Sequence, residues 1–173
     1  MSLMKADARH KVAFRLNGRD VRVEVEPRML LTDVLRHEIG LTGTHVGCEH
    51  GVCGACTISI DGAPARACLT IAVQIDGADL RTIEALAPSA TALSPLQEAF
   101  KRHHALQCGF CTAGILMSLD TYLAARPTPT RAEIVDILSG HLCRCTGYEP
   151  IIAAVLDVVE EQGQAAKEGQ DHV

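Results

Sequence analysis

Eight cysteines, falling into two sets, constrain this chain more than any other feature. The first set opens with Gly47-Cys48-Glu49-His50-Gly51-Val52-Cys53-Gly54-Ala55-Cys56, a C-x4-C-x2-C run with glycines at 47, 51 and 54, and closes at Cys68 after eleven intervening residues. The second set is two pairs, Cys108-Gly109-Phe110-Cys111 and Cys143-Arg144-Cys145, with 31 residues between them. The start, Met1 to His10, has no apolar leader run and no twin arginine, which predicts a cytoplasmic protein. Thiols stay reduced in that compartment, so disulfides are not expected. Even number and tight spacing point instead to metal.

Three cysteines within nine residues and a fourth at a distance is the spacing of a plant-type [2Fe–2S] loop. Four thiolates around two irons and two sulfides make an anion. A chain that wraps it must aim backbone N–H groups inward, and glycine lets the main chain come that close. Zinc prefers paired C-x2-C arms, which Cys48, Cys53, Cys56 and Cys68 do not form. For Cys108, Cys111, Cys143 and Cys145 the spacing alone leaves zinc and an iron–sulfur cluster both open. Side chains at i and i+2 of a strand point to opposite faces, so Cys143 and Cys145 must lie on a turn if they share a site. Cys48-x-His50 has the look of one arm of a Rieske centre, but no second Cys/His arm accompanies it, and His50 reads as a loop residue. His103 and His104 close an amphipathic helix, where histidine suits the C-terminal end of the dipole. His10, His37, His45, His141 and His172 are scattered without a ligand-like partner.

The periodicity divides the chain. Lys11–Leu16 and Val21–Val25 alternate with period two around Asn17-Gly18, a hairpin signal. Residues 30–38 place Leu31, Val34 and Leu35 on one helical face, and Gly40 ends that helix. Thr57–Ile60, Asp61-Gly62 and Ala63–Leu69 read as a second hairpin, and Leu80–Ile83 as a returning strand. This order predicts a ferredoxin-like β-grasp domain over residues 9–83. The period then changes to 3.6. Ser94-Pro95-Leu96-Gln97 and Thr130-Arg131-Ala132-Glu133 are capping boxes, for helices to about His104 and Ser139. Thr112–Arg126 is a longer helix stopped by Pro127 and Pro129, and Pro150 opens a last one to about Glu161. Residues 84–93 read as a linker, 94–161 as a four-helix domain and 162–173 as a disordered polar tail. Each cysteine pair of the second half precedes a helix, whose N-terminus offers free N–H groups to an anion. The fold class is therefore α+β.

Hydrophobic residues make up 47%, with three Phe, two Tyr and no Trp, so the core must be built from Ala, Leu, Val and Ile. The net charge of −5 without a basic run argues against nucleic acid. No stretch approaches 18 apolar residues, so no membrane insertion is expected. Gly-x-Ser-x-Gly, Gly-x-Gly-x-x-Gly and P-loop patterns are absent, and Ser94 is a helix cap. The chain reads as a conduit for electrons with no catalytic residues of its own.

Gly47-Cys48-x4-Cys53-Gly54-Ala55-Cys56-Thr57, Gln107-Cys108-Gly109-Phe110-Cys111-Thr112 and Leu142-Cys143-Arg144-Cys145-Thr146-Gly147-Tyr148, in this order, resemble the small iron–sulfur subunit of molybdenum hydroxylases. This is the family of xanthine dehydrogenase, aldehyde oxidoreductase and aerobic carbon monoxide dehydrogenase. The likeness spans about residues 9–160. It implies a plant-ferredoxin-like N-terminal domain with a distal [2Fe–2S] cluster on Cys48, Cys53, Cys56 and Cys68. It implies a helical C-terminal domain with a proximal [2Fe–2S] cluster on Cys108, Cys111, Cys143 and Cys145. A large partner subunit would carry a molybdenum–pterin cofactor and hydroxylate substrate with oxygen from water. A medium partner subunit would carry FAD, in a heterotrimer or a dimer of heterotrimers. Electrons would pass from molybdenum through both clusters to FAD or an external acceptor, and Gln107 would contact the pterin. The family often has Pro where this chain has Ala113 and Asn where it has His141. The resemblance also implies an apolar face of the helical domain buried against the molybdenum subunit. The competing readings are a free-standing two-cluster ferredoxin-type carrier and a redox-sensing regulator; the acidic balance gives the latter no nucleic-acid surface.

Overall fold

A computed structural model of the chain describes residues 5–89 and 91–168. Strands β1 (His10–Leu16) and β2 (Arg19–Val25) pair antiparallel across Asn17-Gly18. Both turn residues have positive φ, +52° and +80°, which a type I′ turn demands and which matches the twist of the flanking strands. β3 (Thr57–Ile60) and β4 (Ala63–Arg66) repeat the device across Asp61-Gly62. β5 (Asp79–Arg81) lies parallel to β1 and antiparallel to β3, giving the sheet order β2-β1-β5-β3-β4. Pro64 sits on β4, an edge strand, where a missing N–H is tolerated.

Short helix α1 (Leu31–Asp33) continues as a π-helical stretch, Val34–Glu38. It buries Leu31, Val34 and Leu35 against Val12, Phe14, Leu16, Ile58 and Leu80 of the sheet. Each fully buried aliphatic side chain stabilises the packing by about 1.5–3 kcal/mol. Cys56 and Cys68 belong to this same core, at 2% and 3% exposure. β4 ends at Arg66, not at Leu69 as the hairpin reading expects. Ala67–Leu69 turns as a 3-10 helix, and that turn carries Cys68 inward.

The second half holds α2 (Pro95–Arg102), α3 (Thr112–Ala125), α4 (Arg131–Ser139) and α5 (Glu149–Glu168). Ser94 with Gln97 and Thr130 with Glu133 form the two expected capping boxes. Phe100, Ile115, Leu119, Ile134, Leu138, Ile151 and Val155 make the core.

Two expectations need correction. Residues 162–168 of the expected disordered tail are helical; residues 169–173 lie outside the described residues. Nothing after Glu161 stops the helix, because Gly163 is a single weak position among Gln, Ala, Lys and Glu, which favour helix. Nor is the expected linker, 84–93, a free connection. Leu86 is buried in the helical core, and the Glu84 carboxylate accepts the Gly43 N–H at 2.8 Å and the Thr82 hydroxyl at 2.5 Å. Among the described residues no helix is long and apolar enough to cross a membrane.

Candidate metal centres

The first thiol set is built on a loop that runs from Gly40 into β3. Glu49, Gly51 and Gly54 have φ of +54°, +76° and +76°, which coils the chain around Cys48. The backbone N–H groups of His50 and Cys53 both donate to Cys48 Sγ at 3.4 Å. The N–H of Cys53, then that of His50, lowers the Cys48 thiol to about 6. The Cys53 N–H holds that residue against Cys48. Cys56 pairs with Cys68 on the core side, where burial pushes the Cys56 thiol up to about 11. His50 is a loop residue, as expected, and its Nδ1 is hydrogen-bonded to the Cys48 carbonyl.

The second set comes from two separate arms. Cys111 is the N-cap residue of α3, and Cys108 lies before it in a loop. Cys143 and Cys145 lie on the irregular segment between α4 and α5 rather than on a strand, as their spacing requires. Cys108 Sγ and Cys145 Sγ meet at 3.5 Å, and Cys111 pairs with Cys143. Burial pushes the Cys111 thiol up to about 12. The Phe110 N–H lowers Cys108, which is exposed. Thr146 Oγ lies 3.1 Å from Cys143 Sγ, and the Cys143 N–H donates to the Tyr148 hydroxyl at 2.9 Å. Gln107, exposed beside Cys108, donates its Nε2–H to the Cys145 carbonyl at 3.0 Å and so ties the two arms together.

Each set thus offers two pairs of thiols. A [2Fe–2S] cluster takes four Cys, two on each iron, so two pairs per set fit that group.

The two sets meet at one boundary. The Leu142 N–H donates to the Cys53 carbonyl at 3.0 Å. Arg66 reaches the Gly140 carbonyl at 2.6 Å while also binding Thr57 Oγ1 and, at 3.4 Å, the Gly51 carbonyl. His45 stacks on Phe110 with ring centroids 4.9 Å apart, and its Nδ1 lies 2.8 Å from the Phe110 carbonyl. His141 is 2% exposed, with Nε2 at 2.8 Å from Ser118 Oγ. Burial, helped by Arg66, pushes its imidazole down to about 4, so it is neutral. Sequence reasoning left Arg66 unremarked and read His141 as a scattered histidine. Each stands two residues before a set cysteine, Cys68 and Cys143, as a lone polar group in an apolar stretch, which was the available signal.

Residues 14–87 match the 2Fe-2S iron-sulfur cluster binding domain, and residues 82–156 match the [2Fe-2S] binding domain. Each matched segment contains one complete thiol set. The chain is 57% identical over 155 residues to the nicotine 6-hydroxylase small subunit of Paenarthrobacter nicotinovorans, covering 90% of this chain and 93% of that one. The chain belongs to the family of small [2Fe–2S] subunits of molybdenum hydroxylases. Caffeine dehydrogenase subunit gamma of Pseudomonas sp. strain CBB1 is 53% identical over 152 residues, covering 86% of this chain and 90% of that one. The crystal structure of quinoline 2-oxidoreductase from Pseudomonas putida 86 superposes with a TM-score of 0.86 at 51% identity, over 92% of this chain and 98% of that one. Aldehyde oxidoreductase from Desulfovibrio gigas superposes with a TM-score of 0.85 at 38% identity, over 90% of this chain but 17% of that longer one. As a small subunit of this family the chain binds two [2Fe–2S] clusters and serves electron transfer in a molybdenum-dependent oxidoreductase. The sequence-based recognition and fold class hold.

Proposed function

We propose that this chain conducts electrons from a molybdenum–pterin centre on a large subunit to FAD on a medium subunit. Cys108, Cys111, Cys143 and Cys145 hold the cluster facing the molybdenum subunit, and Cys48, Cys53, Cys56 and Cys68 hold the one facing the flavin subunit. The carrying observation is that Cys108 and Cys145, from separate arms, bring their Sγ atoms to 3.5 Å, with the Cys53–Leu142 hydrogen bond joining this set to the other. When bound, each cluster supplies a site that takes up and gives up one electron. The residues of the chain set the terms for that. N–H groups of His50 and Cys53 offset negative charge at Cys48. Burial of Cys56 and Cys68 keeps water off one side of the first set. Gln107 holds the Cys145 arm and, being exposed, would be free to contact the pterin.

Large exposed apolar residues flank both sets and favour fixed partners over a free carrier. Val52 and Leu69 are 63% and 59% exposed beside the first set, and Phe110 and Leu142 are 47% and 59% exposed beside the second. The working domains are residues 9–83 and 94–161, the connection 84–93 being anchored by Leu86. The assembly is a heterotrimer, or a dimer of heterotrimers, in the cytoplasm. Relatives named for nicotine, caffeine and quinoline point to a nitrogen heteroaromatic as the substrate of the complex.

Co-expression with its large and medium subunits, followed by iron, sulfide, molybdenum and flavin analysis, tests this reading. The expected result is two iron–sulfur signals in low-temperature EPR of the reduced complex, with molybdenum and FAD co-purifying. Zinc, a single cluster or a monomer free of its partners would overturn it.

A further inference from the structure

We propose that His141, seated on Gly54 at the boundary of the two halves, is a positioning residue that sets the separation of the two thiol sets. The inference rests on the ligand assignment proposed above. A β-carbon at Gly54 would lie 2.4 Å from His141 Nδ1 and 2.6 Å from the Gly140 carbonyl, so the imidazole packs directly on the main chain between Cys53 and Cys56. The carbonyl of the same residue meets α3, where a β-carbon at Gly114 would lie 2.2 Å from it. Gly54 is therefore in close contact with both the imidazole and the first turn of α3. From His141 the chain leads at once to the other set. The Leu142 N–H binds the Cys53 carbonyl, and the Tyr148 hydroxyl, which accepts the Cys143 N–H, donates to the His141 carbonyl at 3.0 Å.

His141 is held on one side only. Nε2 meets Ser118 Oγ, while Nδ1 is buried with no partner among the described residues. With Nδ1 unpaired, the ring is held by its single bond to Ser118 and by the volume it fills against Gly54. Close-packed interiors transmit such a volume to their neighbours. Removing it lets the Cys53 segment and the Leu142–Cys143 segment approach or slide. Electron transfer between centres falls off steeply with distance, so that shift has a functional reading.

The test uses the assembled holo-complex carrying His141→Ala, His141→Gln or Ser118→Ala. Three quantities are read: iron and sulfide per chain, the dipolar interaction between the reduced clusters by pulsed EPR, and the rate of electron equilibration between them after flash reduction. His141→Ala is expected to keep full iron and sulfide, to change the dipolar interaction and to alter the equilibration rate several-fold. His141→Gln, which refills the space and reaches Ser118, is expected to restore both. Ser118→Ala, which frees the ring while leaving its volume, is expected to broaden the distribution of inter-cluster distances. It carries the test if His141→Ala does not assemble. Full iron with wild-type dipolar interaction in His141→Ala, or an unchanged distribution in Ser118→Ala, overturns the proposal. A wild-type complex lacking either cluster would overturn the ligand assignment instead.

Discussion

A β-carbon at Gly114 would lie 2.2 Å from the carbonyl oxygen of Gly54, closer than any two such atoms can stand. The first turn of α3 thus rests on the loop that carries Cys53 and Cys56. The Gly54 carbonyl is fixed from its other side by the Thr57 N–H at 3.1 Å and the Thr57 hydroxyl at 2.6 Å, so it cannot swing away. Helix propensity alone would make Gly114→Ala stabilising by about 0.8–1 kcal/mol. The collision is with backbone, and overpacking of this kind costs about 1–3 kcal/mol, so the clash wins. Gly114→Ala is expected to lower the melting temperature of the cluster-loaded chain. An unchanged or raised melting temperature would show that the loop and α3 are not in this contact.

Arg66 spans the same boundary with one guanidinium. Its Nη2 donates to the Gly140 carbonyl at 2.6 Å, while the rest of the fork binds Thr57 Oγ1 and the Gly51 carbonyl. Hydrogen bonds from a charged donor contribute about 1.5–3 kcal/mol. Arg66→Met keeps much of the stem but leaves the Gly140 carbonyl without this donor. It is expected to destabilise the chain by about that amount. Arg66→Lys is expected to recover only part of it, because an ammonium cannot replace a planar fork. Chemical denaturation of the three proteins decides; equal midpoints would remove Arg66 from the account.

Local chemistry was legible in the sequence, and contacts across the boundary were not. Asn17-Gly18 and Asp61-Gly62 announced their hairpins because few other pairs accept positive φ at both positions. Ser94 with Gln97, and Thr130 with Glu133, announced two helix starts because a capping box is complete within four residues. The cysteine spacing announced both thiol sets. Leu86 read as linker because its neighbours are Ala, Pro and Ser, yet it is buried in the helical core through partners far along the chain. The π-helical stretch Val34–Glu38 follows from packing Val34 and Leu35 on the sheet and leaves no local signature. His141 looked scattered because the residue that explains it, Gly54, lies in the other half of the molecule.

Cys145 ties the two arms of the helical half through its thiol, 3.5 Å from Cys108, and its carbonyl, which accepts from Gln107. A metal site adds its binding free energy to folding. Cys145→Ser is expected to remove one cluster of two, to halve iron and sulfide per chain, and to lower the thermal stability of the helical half while the ferredoxin-like half keeps its cluster. Stripping iron with a chelator should bring wild type and variant to similar stability. Full iron in the variant would remove Cys145 from the ligand set.

Asp157 on α5 clasps the end of α2, accepting Arg102 NH2 at 2.6 Å and lying 2.8 Å from His103 Nε2. Arg102, then His103, holds the Asp157 carboxyl below its ordinary 3.8. A depressed carboxylate contributes stability that is present above the unfolded value and is lost as pH falls through the folded one. The carboxylate's own contribution is therefore fully present above pH 3.8 and is lost as pH falls below that value. Asp157→Asn should melt earlier than wild type at neutral pH, and the gap between the two should close as the solution is acidified below that value. The clasp is solvent-exposed, so raised salt should narrow the neutral-pH gap as well. Melting curves of both proteins across pH and ionic strength check this, and a gap that failed to close below pH 3.8 would place the stabilisation on some other group.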